Sequence, residues 1–132
     1  MLYLDASALV KRYVAEEGSE ALIAAMGTAE AWAICRVGYV ETARAVGLAA
    51  GKPAVRRLIA DWPSFEVVEV DASLAERATE LIFMEELRSL DALHLAAALL
   101  VASDGMTFAT WDARLHRAAQ SQGLAVFPTE LP

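Results

Sequence analysis

Four carboxylates in this chain stand where short apolar runs give way to helical patterns. Asp5 closes the opening run of MLYLDASALV, Glu41 lies in RVGYVETARAV, Asp91 in LRSLDALHLAAALL and Asp112 in MTFATWD. A bare carboxylate beside core residues is costly unless a charge or a hydrogen-bond donor meets it. Four gathered at one spot would repel one another and could not all stay ionised unaided. A divalent cation resolves both difficulties, and an all-oxygen donor set with retained water suits Mg²⁺ or Mn²⁺. Whether the four acids meet depends on the elements that carry them.

Leu2–Leu4 reads as a short buried strand, with a helix following over Ser7–Val14. Gly18 and Ser19 open a second helix that ends near Gly27, and Trp32–Cys35 is a second strand. Arg36–Ala50 is alanine-rich and helical until Gly51, and Pro53 stands at the start of a further helix reaching about Trp62. FEVVEV, Phe65–Val70, is the clearest strand, and Asp71 after it caps a helix through Met84. Ser89–Ser103 is apolar on nearly all sides, hence a buried helix. Asp104-Gly105 is a turn, Met106–Thr110 a strand, Trp111–Gln122 a helix and Ala125–Phe127 a last strand.

Strands separated by helices predict an α/β fold of three layers, α/β/α, with a central parallel sheet of about five strands. No repeat, linker or low-complexity tract interrupts the pattern, so one domain is expected over residues 1–132. In such sheets the functional site lies outside the carboxyl ends of the strands. All four acids belong to elements that begin on that edge.

Each residue also has a plainer reading. Asp91 and Asp112 follow Ser89 and Thr110 by two, and either acid can simply favour a helix N-terminus, an effect of about 0.3–1 kcal/mol for an exposed group. Glu41 can pair with Arg36 or Arg44 on the surface. Asp5 alone has no local reason to stand at the end of an apolar strand. His94, three residues after Asp91, either touches the site or is a satisfied core histidine. Cys35 reads as a small buried hydrophobe. Leu9, Tyr13 and Leu22 can serve the core, a groove or a dimer interface. Lys11 and Arg12 follow the first motif, and Arg114 and Arg117 follow Asp112; both pairs suit a phosphate path or a solvated helix face. Arg88, just before Asp91, is the first basic residue to consider as a phosphate contact. Trp111 can stack a base or pack.

The bulk composition excludes several classes. The chain has 132 residues, 57% of them hydrophobic and 22% charged, which argues against disorder. Its longest uncharged apolar run, Ala92–Ala102, is too short for a bilayer span and contains His94. No basic region followed by a long apolar stretch opens the chain, so a cytoplasmic protein is expected. The single cysteine forbids an internal disulfide, and two histidines with one cysteine cannot build a zinc site. Neither GxxxxGK[ST] nor GxGxxG occurs, and the Ser7–His94–Asp combination lacks a GxSxG elbow. The net charge of −7 argues against a generic polyanion binder. The four acids carry four of those seven charges, and two bound divalent ions would reverse the sign of the site itself.

LYLDASALVKRY, VETARA, LRSLDALHLAAAL and FATWDARL, in that order and spacing, resemble a PIN domain, and within that family the VapC-type ribonuclease toxins of bacterial and archaeal toxin–antitoxin pairs. The resemblance runs from about Leu2 to Phe127. It implies a metal-dependent endoribonuclease whose acidic quartet is Asp5, Glu41, Asp91 and Asp112, with Ser7 and Thr110 as accompanying hydroxyls that orient the ligands. It also implies one or two Mg²⁺ or Mn²⁺ ions and hydrolysis of RNA to a 5′-phosphate and a 3′-hydroxyl. Asp5 and Asp91 would be direct ligands, Glu41 direct or through water, and Asp112 the acid of a second, weaker position. Arg88, Arg12 and Arg114 are the candidates for substrate contact. A VapB-like antitoxin is the implied partner, in a homodimer or a toxin–antitoxin hetero-oligomer. The rival within the fold is a PIN scaffold that binds metal or RNA without cutting. A phosphotransfer receiver domain would want a further acid pair and a late strand-end lysine, neither of which occurs.

Overall fold

The LYL strand shows how the core divides. In an extended chain successive side chains point to opposite faces of the sheet, and here Leu2 and Leu4 join one apolar cluster while Tyr3 joins the other. The computed structural model describes residues 1–132. Its elements are β1 (Leu2–Leu4), α1 (Ala6–Tyr13), α2 (Ser19–Thr28), β2 (Trp32–Cys35), α3 (Arg36–Asp61), a 3₁₀ turn (Trp62–Ser64), β3 (Phe65–Val68), α4 (Ala72–Glu85), α5 (Ser89–Val101), β4 (Thr107–Ala109), α6 (Ala113–Ser121) and β5 (Ala125–Phe127).

The five strands lie in the order β3-β2-β1-β4-β5 and every neighbouring pair is parallel. The chain starts at the centre, works outward to β3, then returns to the other side of β1, where Leu4 pairs with Ala109. That reversal makes the carboxyl ends of β1 and β4 a topological switch point, the usual place for a site in an open parallel sheet. Leu2, Leu4, Ile34 and Ala109 pack beneath α1, α2 and α3, against Leu9, Leu22, Met26, Val46 and Leu58. Tyr3, Cys35, Phe108 and Val126 pack beneath α4, α5 and α6, against Leu81, Leu95, Ala97 and Leu115. Four buried alanines on α5, at 92, 96, 97 and 98, let it lie close to the sheet. The fold is the expected three-layer α/β/α.

Several boundaries differ, for local reasons. FEVVEV pairs only as far as Val68, because β2 turns into α3 after Cys35 and leaves Glu69 and Val70 no partner strand. β4 is Thr107–Ala109, matched to a β1 of three residues. α1 begins at Ala6 and α6 at Ala113, because Asp5 and Asp112 cap them. The break at Gly51 is a kink within α3, where φ is 78°, and Pro53 falls in the first turn after it, where no N–H is needed. Asp71 caps α4 by accepting from the Leu74 N–H at 2.8 Å. Leu9, Tyr13 and Leu22 are core residues. No helix is long and apolar enough to cross a membrane.

Leu9 on α1 is fully buried, whereas Leu48 on α3 is 73% exposed. Leu9→Ala is expected to cost about 2–5 kcal/mol in urea unfolding, and Leu48→Ala to stay within about 0.5 kcal/mol of wild type. Equal effects would show that α1 does not bury the face described.

Candidate active site

Asp5 is where β1 becomes α1. Its N–H donates to the Ala109 carbonyl at 3.2 Å, tying it to β4, and its side chain is the N-cap of α1. Oδ1 accepts from the Ala8 N–H at 2.9 Å and the Ser7 hydroxyl at 2.7 Å. Oδ2 accepts from the Thr110 hydroxyl at 2.5 Å. The two hydroxyl oxygens accept in turn, Ser7 from the Trp111 N–H at 2.9 Å and Thr110 from the Asp112 N–H at 3.1 Å. Asp5 therefore does have a local reason to stand at the strand end, contrary to the sequence expectation: it caps α1. The cap occupies Oδ1 and leaves the rest of the charge buried, with the residue 3% exposed. Burial pushes its pKa above the ordinary range, although the hydrogen bonds from Thr110, Ser7 and the Ala8 N–H oppose the rise. Three hydrogen bonds do not fully compensate this charge.

Asp91 and Asp112 share one cation. Asp91 lies in the first turn of α5 but does not cap it; the N-cap is Arg88, which makes no side-chain cap. Arg88 Nε instead donates to Asp91 Oδ2 at 3.0 Å, and Arg88 Nη2 donates to Asp112 Oδ2 at 2.9 Å. Asp112 does cap α6, its Oδ1 accepting from the Leu115 N–H at 2.9 Å. Its second oxygen is the one that faces Arg88. Burial raises the Asp91 pKa and the charge of Asp112 adds to the rise, while Arg88 lowers it.

Glu41 pairs with neither Arg36 nor Arg44. Arg36 binds Glu69 at the surface, at 2.8 and 2.5 Å, whereas Glu41 Oε1 is 2.7 Å from His94 Nε2. His94 is 1% exposed, so it is both a satisfied core histidine and a neighbour of the acids. Two contributors went unnoticed in the sequence. Tyr3 carries a hydroxyl into a strand whose three residues are all buried, and a buried phenol needs a partner. Gly38, one turn before Glu41, lets α3 approach α5.

The structure thus joins Asp5 to Ser7 and Thr110, Asp91 to Asp112 through a guanidinium, and Glu41 to His94. It does not bring three acids or histidines to one point at ligand spacing; between Asp91 and Asp112 stands Arg88. The donor set nevertheless fits a hard divalent cation. It is all carboxylate and hydroxyl, two of its acids are held above their usual pKa, and a cation already bridges two of them.

The basic candidates separate. Arg114 lines a cavity of about 320 Å³ with Arg88, Asp112, Ala113 and Arg117. Arg12 is committed elsewhere, to Asp61 at 3.1 Å and over the Trp32 ring. Lys11 is buried and donates to Glu16 and to the Glu17 carbonyl. Trp111 packs: Lys11 lies 4.9 Å from its ring, Phe127 meets it edge-on, and a Cβ on Gly18 would come within 2.9 Å of the indole.

Asp5 and Asp91 titrate above the unfolded-state value of about 3.9. Between that value and the raised ones the folded chain binds more protons, so metal-free stability falls as pH rises through the window. Asp5→Asn keeps the acceptor for Ala8 and Ser7 and turns an amide donor toward Thr110. It is expected to raise the metal-free Tm at neutral pH, on the order of 3 °C, and to flatten that decline; a lower Tm would contradict the uncompensated charge. Arg88→Ala is expected to tighten Mn²⁺ binding a few-fold in calorimetry, because the ion no longer displaces two pairs. Weaker binding would show that the guanidinium assists the ion.

The chain matches the PIN domain family over residues 2–121. It is 34% identical over 140 residues to ribonuclease VapC49 of Mycobacterium tuberculosis, covering 99% of this chain and 97% of that one. Among solved structures it is similar to Mycobacterium tuberculosis VapC20, a sarcin–ricin loop cleaving toxin, with a TM-score of 0.77 at 16% identity over the whole of both chains. It is similar also to a toxin–antitoxin complex from Klebsiella pneumoniae, with a TM-score of 0.74 at 16% identity, again over the whole of both chains. Sheet order, strand-end acids and full-length similarity agree: the chain belongs to the PIN-domain family, among its VapC members.

Proposed function

We propose that this chain is a Mg²⁺- or Mn²⁺-dependent endoribonuclease, and that residues 1–132 act as one nuclease domain in the cytoplasm, as the toxin of a VapBC-type pair. The observation that carries the reading is the buried Asp5 carboxylate at the end of β1, joined through the Thr110 hydroxyl to Asp112, one of two acids that already share a cation. Full-length similarity to a named ribonuclease supports it.

Asp5 and Asp91 are the residues we assign as direct ligands, with Glu41 joining directly or through water and Asp112 serving a second position. A bound divalent ion would supply charge neutralisation for the scissile phosphate and a lowered pKa for water. The chain's own residues do the rest. Ser7 and Thr110 hold Asp5 by both oxygens and fix its orientation. With an ion bound, Arg88 would be free to exchange its carboxylate partners for a phosphate oxygen, and Arg114 and Arg117 extend that basic rim past Asp112. A basic rim above an acidic floor reconciles an acidic protein with a polyanionic substrate. The partner we assign is a VapB-like antitoxin, in a homodimer or a toxin–antitoxin hetero-oligomer, supported by the toxin–antitoxin complex among the structural neighbours.

The test is cleavage. Antitoxin-free protein is incubated with labelled tRNAs and ribosomal RNA fragments, one spanning the sarcin–ricin loop, in Mg²⁺, in Mn²⁺ and with chelator, beside a folded Asp91→Asn control. Discrete, metal-dependent cuts that fall at least 100-fold in the control are expected. A metal-binding protein that cuts none of these RNAs would favour the scaffold reading.

A further inference from the structure

We propose that His94 is a positioning residue for Glu41: Tyr3 fixes its imidazole in the neutral, Nε2-protonated tautomer, so that it donates to one Glu41 oxygen and leaves the other for a divalent cation. The inference rests on the metal-site reading above and assigns within it the group that holds the third acid.

Tyr3 is fully buried and its hydroxyl has two neighbours, the Cys35 backbone N–H at 3.0 Å and His94 Nδ1 at 2.9 Å. A backbone N–H only donates, so the phenol oxygen accepts there. A phenol is protonated at neutral pH, and its own proton has one remaining acceptor, Nδ1. That nitrogen is therefore unprotonated, and the ring proton is on Nε2, 2.7 Å from Glu41 Oε1. The opposite tautomer would leave the phenol proton without a partner and set a nitrogen lone pair against a carboxylate. Both errors involve buried polar groups, where an unmade hydrogen bond is most costly. A flipped ring would offer only carbon to both partners. With both nitrogens engaged, His94 is not itself a ligand.

Packing confines the ring independently of these bonds. Tyr3 meets it edge-on at 6.0 Å and is itself stacked on Phe108 at 5.2 Å. On the far side, a Cβ on Gly38 would come within 2.9 Å of His94 Cε1 and 2.6 Å of the Ile34 side chain. A bare backbone at position 38 is what lets the imidazole of α5 reach an acid of α3. Partners that orient a metal-binding group commonly change metal affinity by 10–100-fold when removed.

Two readouts, neither needing RNA, test this. Long-range ¹H–¹⁵N spectra of the imidazole should show an Nε2-protonated neutral ring in wild type and a mixture of tautomers in Tyr3→Phe, a near-isosteric change that keeps the aromatic packing. In Mn²⁺ titrations, His94→Leu should weaken binding about tenfold or more, and Tyr3→Phe several-fold. His94→Gln, whose amide nitrogen replaces Nε2 as donor, should recover most of the loss. The Glu41→Gln/His94→Leu double variant should be no weaker than Glu41→Gln alone. A wild-type ring protonated on Nδ1, or a folded His94→Leu or Tyr3→Phe that binds Mn²⁺ as wild type does, would overturn the proposal. Wild-type protein that binds no Mn²⁺ would overturn the metal-site reading and the positioning role with it, while the spectra still judge the tautomer separately.

Discussion

A negative charge buried where the central strand ends is the constraint around which the rest of this molecule is arranged. Asp5 is 3% exposed and accepts from one backbone N–H and two hydroxyls. Those donors come from α1 and from the segment just beyond β4, so the carboxylate joins the two elements that meet at the carboxyl edge of the sheet. Oδ1, which accepts from Ala8 and Ser7, cannot be removed without loosening the start of α1. A purely structural cap would not need this depth: Asp71 caps α4 with the same backbone geometry while remaining exposed. What distinguishes Asp5 is a charge that its protein partners do not fully offset.

Charge compensation then explains the remaining acids. Hydroxyls hold Asp5, one guanidinium holds Asp91 and Asp112, and an imidazole holds Glu41, so no two of the four must share a proton. Arg88 is the only one of these partners with a largely exposed side chain, 69%. A flexible, solvent-exposed arginine can leave without unfolding anything, whereas His94 is fixed between Tyr3 and Gly38. The site is therefore rigid around Asp5 and Glu41 and adjustable between Asp91 and Asp112. A planar guanidinium fits this use, because it spans two carboxylates at once and binds a phosphate with the same fork.

Much of this was legible in the residues. Strand–helix alternation predicts the parallel sheet, and apolar runs ending in acids predict the edge where the site lies. The apolar character of Ser89–Ser103 predicts a buried helix, which holds for the face carrying Ala92 and Leu95 but not for Leu90 and Leu100, which are exposed. Strand ends were not legible, because Glu69 and Val70 look like strand residues and lose that role only through the length of β2. The capping role of Asp5 was missed for a different reason. Its N-cap signature, an acid before ASAL, was masked by its apolar neighbours on the other side. The Arg88 bridge spans 24 residues of sequence and the Tyr3–His94 bond spans 91; no local pattern encodes either. A tyrosine in a fully buried strand was the one available sign of the second.

The most direct check on the account is anomalous diffraction from crystals of the protein grown with Mn²⁺. A peak bounded by the carboxylates of Asp5 and Asp91 is expected, with Arg88 withdrawn from Asp91 and the Tyr3–His94–Glu41 contacts unchanged. An absence of any peak there at saturating Mn²⁺, with Arg88 still bridging Asp91 and Asp112, would contradict it and leave the acids as structural groups.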